Sequence, residues 1–165
     1  MAHSIRKVGI IGAGQMGNGI AHVCALAGMP VVINDIQAAR LKDALATING
    51  NMARQVARKR ITEDDKLAAL KLITTAETYD GLSDCDIVIE AAVEKEDIKR
   101  KIFTELCPAL KPEALIATNS SSISITRLAA ATDRPEKFIG IHFMNPVPVM
   151  ELVEIIRGIA TADVT

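Results

Sequence analysis

The sequence predicts an α/β domain built on a doubly wound, mostly parallel sheet. Three observations predict it. Short apolar runs alternate with helix-length stretches, and the runs are too far apart for hairpins, which implies right-handed crossovers. Hydrophobic residues fill 49% of the 165 positions, yet only Tyr79, Phe103, Phe138 and Phe143 are aromatic, so the core must be aliphatic, as suits a parallel sheet covered by helices. Finally, the first apolar run enters Gly12-Ala13-Gly14-Gln15-Met16-Gly17, a glycine-rich turn that opens a helical pattern.

The elements follow in order. Strands are expected over residues 8–11, 31–33, 72–75, 87–90, 115–118 and 138–142, each a short run rich in Ile, Val, Leu, Thr or Phe. Ile20, Val23, Cys24 and Ala27 recur at helical spacing and lay one stripe against the sheet, and Gly28 stops that helix. Leu41, Leu45, Ile48 and Met52 do the same for a longer helix running towards Arg60. Thr62 is placed to cap a helix over 63–71. A helix over 95–107 ends before Pro108, and Ser124 is placed to cap one over 125–131. The helical excursion over 38–71 is longer than a crossover requires, and it is expected to project from the sheet edge with a second role.

The glycine turn carries the chemistry. Gly12 allows a tight exit from the strand, Gly14 lacks the Cβ that would hold backbone amides away from a pyrophosphate, and Gly17 permits close helix–strand packing. The helix N-terminus then offers unpaired N–H groups and the positive end of its dipole to phosphates. Asp35 stands eighteen positions after Gly17, at the end of the second apolar run. There it would accept hydrogen bonds from both adenosine ribose hydroxyls and repel a 2′-phosphate, which selects NAD over NADP and makes the fold a Rossmann unit.

Other classes are disfavoured. A net charge of −1 supplies no field for nucleic acid or an anionic membrane. Cys24, Cys85 and Cys107 are odd in number, widely spaced and without a ligand pattern, so reduced thiols and no metal site are expected. The chain reaches its first strand within a few residues and holds no span-length apolar run, which reads as a soluble, cytoplasmic protein of one domain.

Ligands of such a sheet sit at the carboxyl ends of its strands. His142 is the one histidine at such an end, since His3 is terminal and His22 lies on the first helix. A nicotinamide cofactor needs a nearby proton acceptor, so His142 is the candidate base. Glu154 lies twelve residues on, in an apolar run that could pair beside the His142 strand, and a carboxylate there would fix the imidazole tautomer; an ordinary surface glutamate is the alternative. The segment Asn119-Ser120-Ser121-Ser122-Ile123-Ser124 sets three successive hydroxyls after a strand, suited to a cap, a turn or a substrate contact. Arg54, Arg58, Lys59 and Arg60 make the long helix basic, either as a solvated face or as a seat for a phosphorylated handle. Glu94 and Lys99 follow the fourth strand, where cofactor contacts fall, although a helix-start acid and a solvent lysine are equally ordinary.

Taken together, VGIIGAGQMGNGIA (8–21), DCDIVIEAAVE (84–94), NSSSISIT (119–126) and IHFMNPVPVMELVEII (141–156) resemble the L-3-hydroxyacyl-CoA dehydrogenase family, and most closely its bacterial 3-hydroxybutyryl-CoA branch. The resemblance implies oxidation of the 3-hydroxyl of an acyl-CoA to a ketone with hydride passing to NAD, or the reverse. It implies His142 as general base oriented by Glu154, Ser121 bonded to the substrate oxygen, and Asn145 against substrate or nicotinamide. It places Gln15 and Met16 with the glycine loop, and Glu94, Lys99 and Ser121, on the cofactor, and Asn51 and Arg58 on the CoA phosphates. Glu151 and Ser120 depart from the family pattern, which has lysine and threonine there. Family members continue into a helical domain that closes over substrate and forms the dimer, so residues 1–165 are expected to be the NAD-binding domain alone, binding NAD but turning over poorly. A 3-hydroxyacid or gulonate-type dehydrogenase, or an NAD-binding module without activity, are the alternatives.

Overall fold

The structure, a computed structural model, describes residues 4–165, so His3 lies outside it. Seven strands form one sheet: Val8–Ile11 (β1), Val31–Asn34 (β2), Ile73–Ala76 (β3), Ile87–Glu90 (β4), Leu115–Thr118 (β5), Phe138–Phe143 (β6) and Val153–Arg157 (β7). Their spatial order is β3-β2-β1-β4-β5-β6-β7. The first six are parallel and β7 runs antiparallel to β6. The order reverses direction at β1, between β2 and β4, which is where a crevice opens at the carboxyl ends. The apolar run around Glu154 is therefore a strand, and it pairs directly beside β6.

The helices are Gln15–Leu26 (α1), Ala38–Ala57 (α2), Glu63–Lys71 (α3), Glu96–Leu106 (α4) and Ile125–Ala129 (α5). Because β1 is buried on both sides, its residues serve two cores. Val8 and Ile10 join Ile20, Ile48 and Met52 of α1 and α2. Ile11 joins Phe103 and Leu106 of α4 and Phe138 of β6, with the two phenylalanine rings edge to face at 5.0 Å. Two sequence-level expectations give way here. The segment over 38–71 does not project: α2 buries Leu41, Ala44, Ile48 and Met52, and α2 and α3 both pack on α1. Consequently α1 is covered on more than one stripe, burying Gly17, Gly19, Ala21, His22 and Ala25 as well as Ile20 and Cys24, while Ala27 is its exposed C-cap.

Local signals held at the helix ends. Thr62 accepts from the Asp65 N–H while the Asp65 carboxylate accepts from the Thr62 N–H, a complete capping box. Ser124 caps α5, but that helix stops at Ala129 rather than 131, where the Ala131 and Thr132 N–H groups turn to the carbonyls three residues back, Leu128 and Ala129. All three cysteines are free and buried, and burial pushes the Cys24 and Cys85 thiols up to about 11. No helix among the described residues is long and apolar enough to cross a membrane.

Candidate functional site

The glycine turn shows which of its residues the fold demands and which it does not. Gly12 has φ +101°, and a Cβ there would meet the Ala91 carbonyl at 2.7 Å. A Cβ on Gly17 would overlap the Gly12 carbonyl oxygen. Gly14 is different: its φ and ψ of −71° and −168° are extended, and apart from its immediate chain neighbours no protein atom lies within 4 Å of where its Cβ would be. Its bareness is required only by something that approaches from outside, at the N-terminus of α1. That is the cradle a pyrophosphate fits.

Asp35 closes the same turn. One carboxylate oxygen accepts from the Ala13 N–H and the other from the Gln37 N–H, each at 3.0 Å, which locks its orientation and leaves lone pairs on both oxygens. Asp35, Gly12 and Gly14 line a cleft of about 500 Å³ whose floor is apolar, with Ile36, Val93, Ile98 and Ile102. Ile36 is 80% exposed and, beside Val93, Ile98 and Ile102, extends an apolar surface on which a flat ring can lie. The cleft suits an adenosine.

Beyond Met16, Ala91 and Ala92, which border both spaces, lies a second pocket of about 280 Å³. His142, Ser121, Asn119, Asn145, Glu94 and Lys99 are among its walls. The β6–β7 register sets His142 directly opposite Glu154, and imidazole Nδ1 lies 2.8 Å from Glu154 Oε2. A carboxylate accepts only, so Nδ1 carries a hydrogen, and in the neutral form of the ring Nε2 is the nitrogen with the lone pair. Asn119 Oδ1 accepts the Phe143 N–H at 2.8 Å, pinning the strand end that bears His142 to the end of β5.

The opposite wall is an acid-centred network. Glu94 Oε1 accepts from the Ser120 hydroxyl at 2.5 Å, the Ser121 N–H at 3.0 Å, and the Ser122 N–H and hydroxyl at 3.3 and 3.2 Å. Ser121 contributes only its backbone to this fan, while its neighbours spend hydroxyls on it. Burial works to raise the Glu94 pKa, but the Ser120 hydroxyl, the Lys99 charge and the Ser122 N–H outweigh it and hold the carboxyl below its ordinary value. Lys99 is no solvent lysine: it is 1% exposed and bonded to both oxygens of Glu90 at 2.7 Å.

A family model described as the NAD binding domain of 3-hydroxyacyl-CoA dehydrogenase matches residues 7–165. The chain belongs to that family. As its NAD-binding domain, the chain is 71% identical over its whole length to a 3-hydroxybutyryl-CoA dehydrogenase of Bradyrhizobium diazoefficiens, of which it spans 56%. It is 41% identical, over 98% of its length, to the fatty acid oxidation complex subunit alpha of Acinetobacter baylyi, of which it covers 23%. The crystal structure of an (S)-3-hydroxybutyryl-CoA dehydrogenase from Ralstonia eutropha superposes with a TM-score of 0.95 at 51% identity, covering 97% of this chain and 56% of that one.

Within this NAD-binding domain the remaining candidates form a third region. Asn51, Arg54, Arg58 and Arg60 line a pocket of about 140 Å³ against Pro146 and Pro148, and Arg54 donates to Asn51 Oδ1. Asn145 borders both the His142 pocket and the groove that holds Asn51, so the regions are contiguous. Gln15 and Met16 lie at the glycine turn and line the same cleft as Asp35. Residues the sequence did not single out are Glu90, Asn119 and the apolar floor around Ile36. Glu90 carried a legible signal, an acid ending a strand otherwise wholly apolar, the same cue that marked Asp35. Among the described residues no cluster of three or more His, Cys, Asp or Glu could hold a metal.

Proposed function

We propose that this domain serves NAD-dependent oxidation of L-3-hydroxyacyl-CoA, of short chain such as 3-hydroxybutyryl-CoA, to the 3-oxo thioester, and the reverse reduction. The observation that carries the proposal is the His142–Glu154 pair facing a pocket continuous with the glycine-turn cleft. NAD, when bound, supplies the hydride acceptor. With Glu154 holding Nδ1–H, Nε2 of His142 is free to take the hydroxyl proton, and the carboxylate stabilises the imidazolium that forms. The Ser121 hydroxyl bonds the substrate oxygen, Asn145 steadies the reacting groups, and Asn51 with Arg58 receives the CoA phosphates. Asp35 takes the ribose hydroxyls, and Glu94 and Lys99 form the cofactor-side wall.

The relatives are longer, and in a protein of their length further chain would close this cleft and carry the dimer contact; Val149, Leu152 and Ile155, all more than half exposed beside the site, suit such a cover. The 165 residues alone would bind NAD and turn over slowly, because water enters the open side. Free buried thiols fit a reducing, cytoplasmic setting.

The test is NADH consumption by the full-length protein with acetoacetyl-CoA and with free acetoacetate. The thioester should be preferred, and Glu154→Gln should lower kcat by about 10²–10⁴ with NADH affinity unchanged. Equal use of free acetoacetate, or an unimpaired Glu154→Gln variant, rejects the proposal.

A further inference from the structure

Glu90 is a fully buried charge that the chemistry above leaves unused. Its carboxylate ends β4 opposite Thr118 of β5, and accepts from the Ala92 N–H and the Thr118 hydroxyl, each at 2.7 Å. Both of its oxygens also hold the Lys99 ammonium at 2.7 Å. The same ammonium reaches Glu94 Oε2 at 3.3 Å. One cation thus faces two carboxylates, and the shorter, doubled contact assigns it to the buried one. A buried carboxylate is the partner that cannot do without it. Glu94, with a side chain 38% exposed, shares the cation only through the longer contact, and serine hydroxyls and N–H dipoles stabilise its negative charge without cancelling it.

We propose that Glu90 is a positioning residue that, by holding Lys99 closer to itself than to Glu94, leaves the Glu90–Lys99–Glu94 cluster with one net negative charge at the pocket wall, so that the site binds the positively charged oxidised nicotinamide in preference to the neutral reduced one. This rests on the reading that NAD lies in this cleft with its nicotinamide in the His142 pocket. With NAD bound, the ring would accept hydride from the substrate carbon while His142 took the hydroxyl proton, so positive charge would leave the ring and appear on the imidazole. The pocket then offers one carboxylate to each location: Glu94 where the charge starts and Glu154 where it ends. At the effective dielectric of a partly exposed site, one unit charge a few ångströms away changes affinity by about tenfold or more.

The experiment measures dissociation constants for NAD⁺ and NADH separately, by calorimetry and nucleotide fluorescence, in the full-length protein and its Glu90→Gln and Glu94→Gln variants. Glu90→Gln frees Lys99 to neutralise Glu94, so Kd for NAD⁺ should rise about tenfold while Kd for NADH moves little. For a two-electron couple that ratio is about 30 mV in the bound potential. Glu94→Gln should shift the ratio the same way. If Glu90→Gln weakens both forms by one common factor, Glu90 is merely structural and the proposal is overturned. Should that variant fail to melt cooperatively, Glu94→Gln decides: an unchanged ratio overturns the proposal and a tenfold rise supports it. Failure of the unaltered protein to bind either nucleotide would instead sink the NAD reading beneath it.

Discussion

Alanine at Gly14 and alanine at Gly17 should separate the demands of a ligand from the demands of the fold, although the two glycines lie one helical turn apart. At Gly17 the new Cβ would fall on the Gly12 carbonyl, a backbone atom that cannot swing aside as a side chain can. Overpacking of that kind costs about 3 kcal/mol or more. For a chain of this size each kcal/mol moves Tm by about 2–4 °C, so Gly17→Ala should melt about 6–12 °C lower. At Gly14 no protein atom beyond the immediate chain neighbours lies within 4 Å of the added methyl, and the backbone is extended with a negative φ that alanine can adopt. Losing glycine restricts the unfolded chain, a gain of about 0.4–1 kcal/mol, against a roughly similar loss from alanine at an N-cap. Gly14→Ala should therefore keep its Tm within about 4 °C, a net change of no more than ~1 kcal/mol. Its methyl, however, stands where, on the proposed function, a pyrophosphate would approach the α1 amides, and NADH affinity should fall at least about tenfold, as expected when a close backbone approach is blocked. Differential scanning fluorimetry and NADH fluorescence titration on the same preparations decide it. If Gly14→Ala binds NADH normally, or melts as low as Gly17→Ala, the assignment of the cradle is wrong.

Two further outcomes follow from buried charge. Lys99→Met should strand Glu90 without its cation and cost about 3–5 kcal/mol, read as a fall in the urea midpoint at unchanged m-value. A variant as stable as the parent would show that Glu90 is held by Ala92 and Thr118 alone. His22 provides the pH prediction. Burial lowers its pKa below 6.5 while its bond to Gln55 works the other way, and its Nδ1 has no partner to accept from it if protonated. The unfolded chain takes up this proton near 6.5 and the folded chain resists until lower pH, so stability present above 6.5 is lost as pH falls from there towards the depressed value. The slope from this group is at most about 1.4 kcal/mol per pH unit. Melting temperatures from pH 7.5 to 5.5 should fall more steeply for the parent than for His22→Leu, and parallel curves would exclude His22 as the cause.

Much of the domain was legible in one dimension because its cues are local. A strand, a glycine turn, a helix and an acid need only their own spacing to be recognised, and backbone sterics leave few residues that can make such a turn, so Gly12, Gly17 and Asp35 could be placed from the string alone. The capping box of Thr62 and Asp65 and the stop at Gly28 are local in the same sense. The path of α2 and α3 was not, because their apolar faces fit equally a projecting pair and one folded back on α1, and only the shape of α1 chooses between them. The fate of Lys99 was also hidden, since nothing in its own helix says that a carboxylate nine residues earlier is buried within 2.7 Å of it.

What the sequence determined by itself is the glycine turn and the helix start it leads into, because steric permission at a glycine and hydrogen bonding at a helix end are properties of a few consecutive residues. What only the tertiary structure decided is the electrostatics of the pocket. It took an antiparallel β7 to bring Glu154 within 2.8 Å of His142. It took the parallel ends of β4 and β5 to bury Glu90, and α4 to turn Lys99 towards it. Charge interactions depend on separation through space and on burial, and neither quantity is set by distance along the chain.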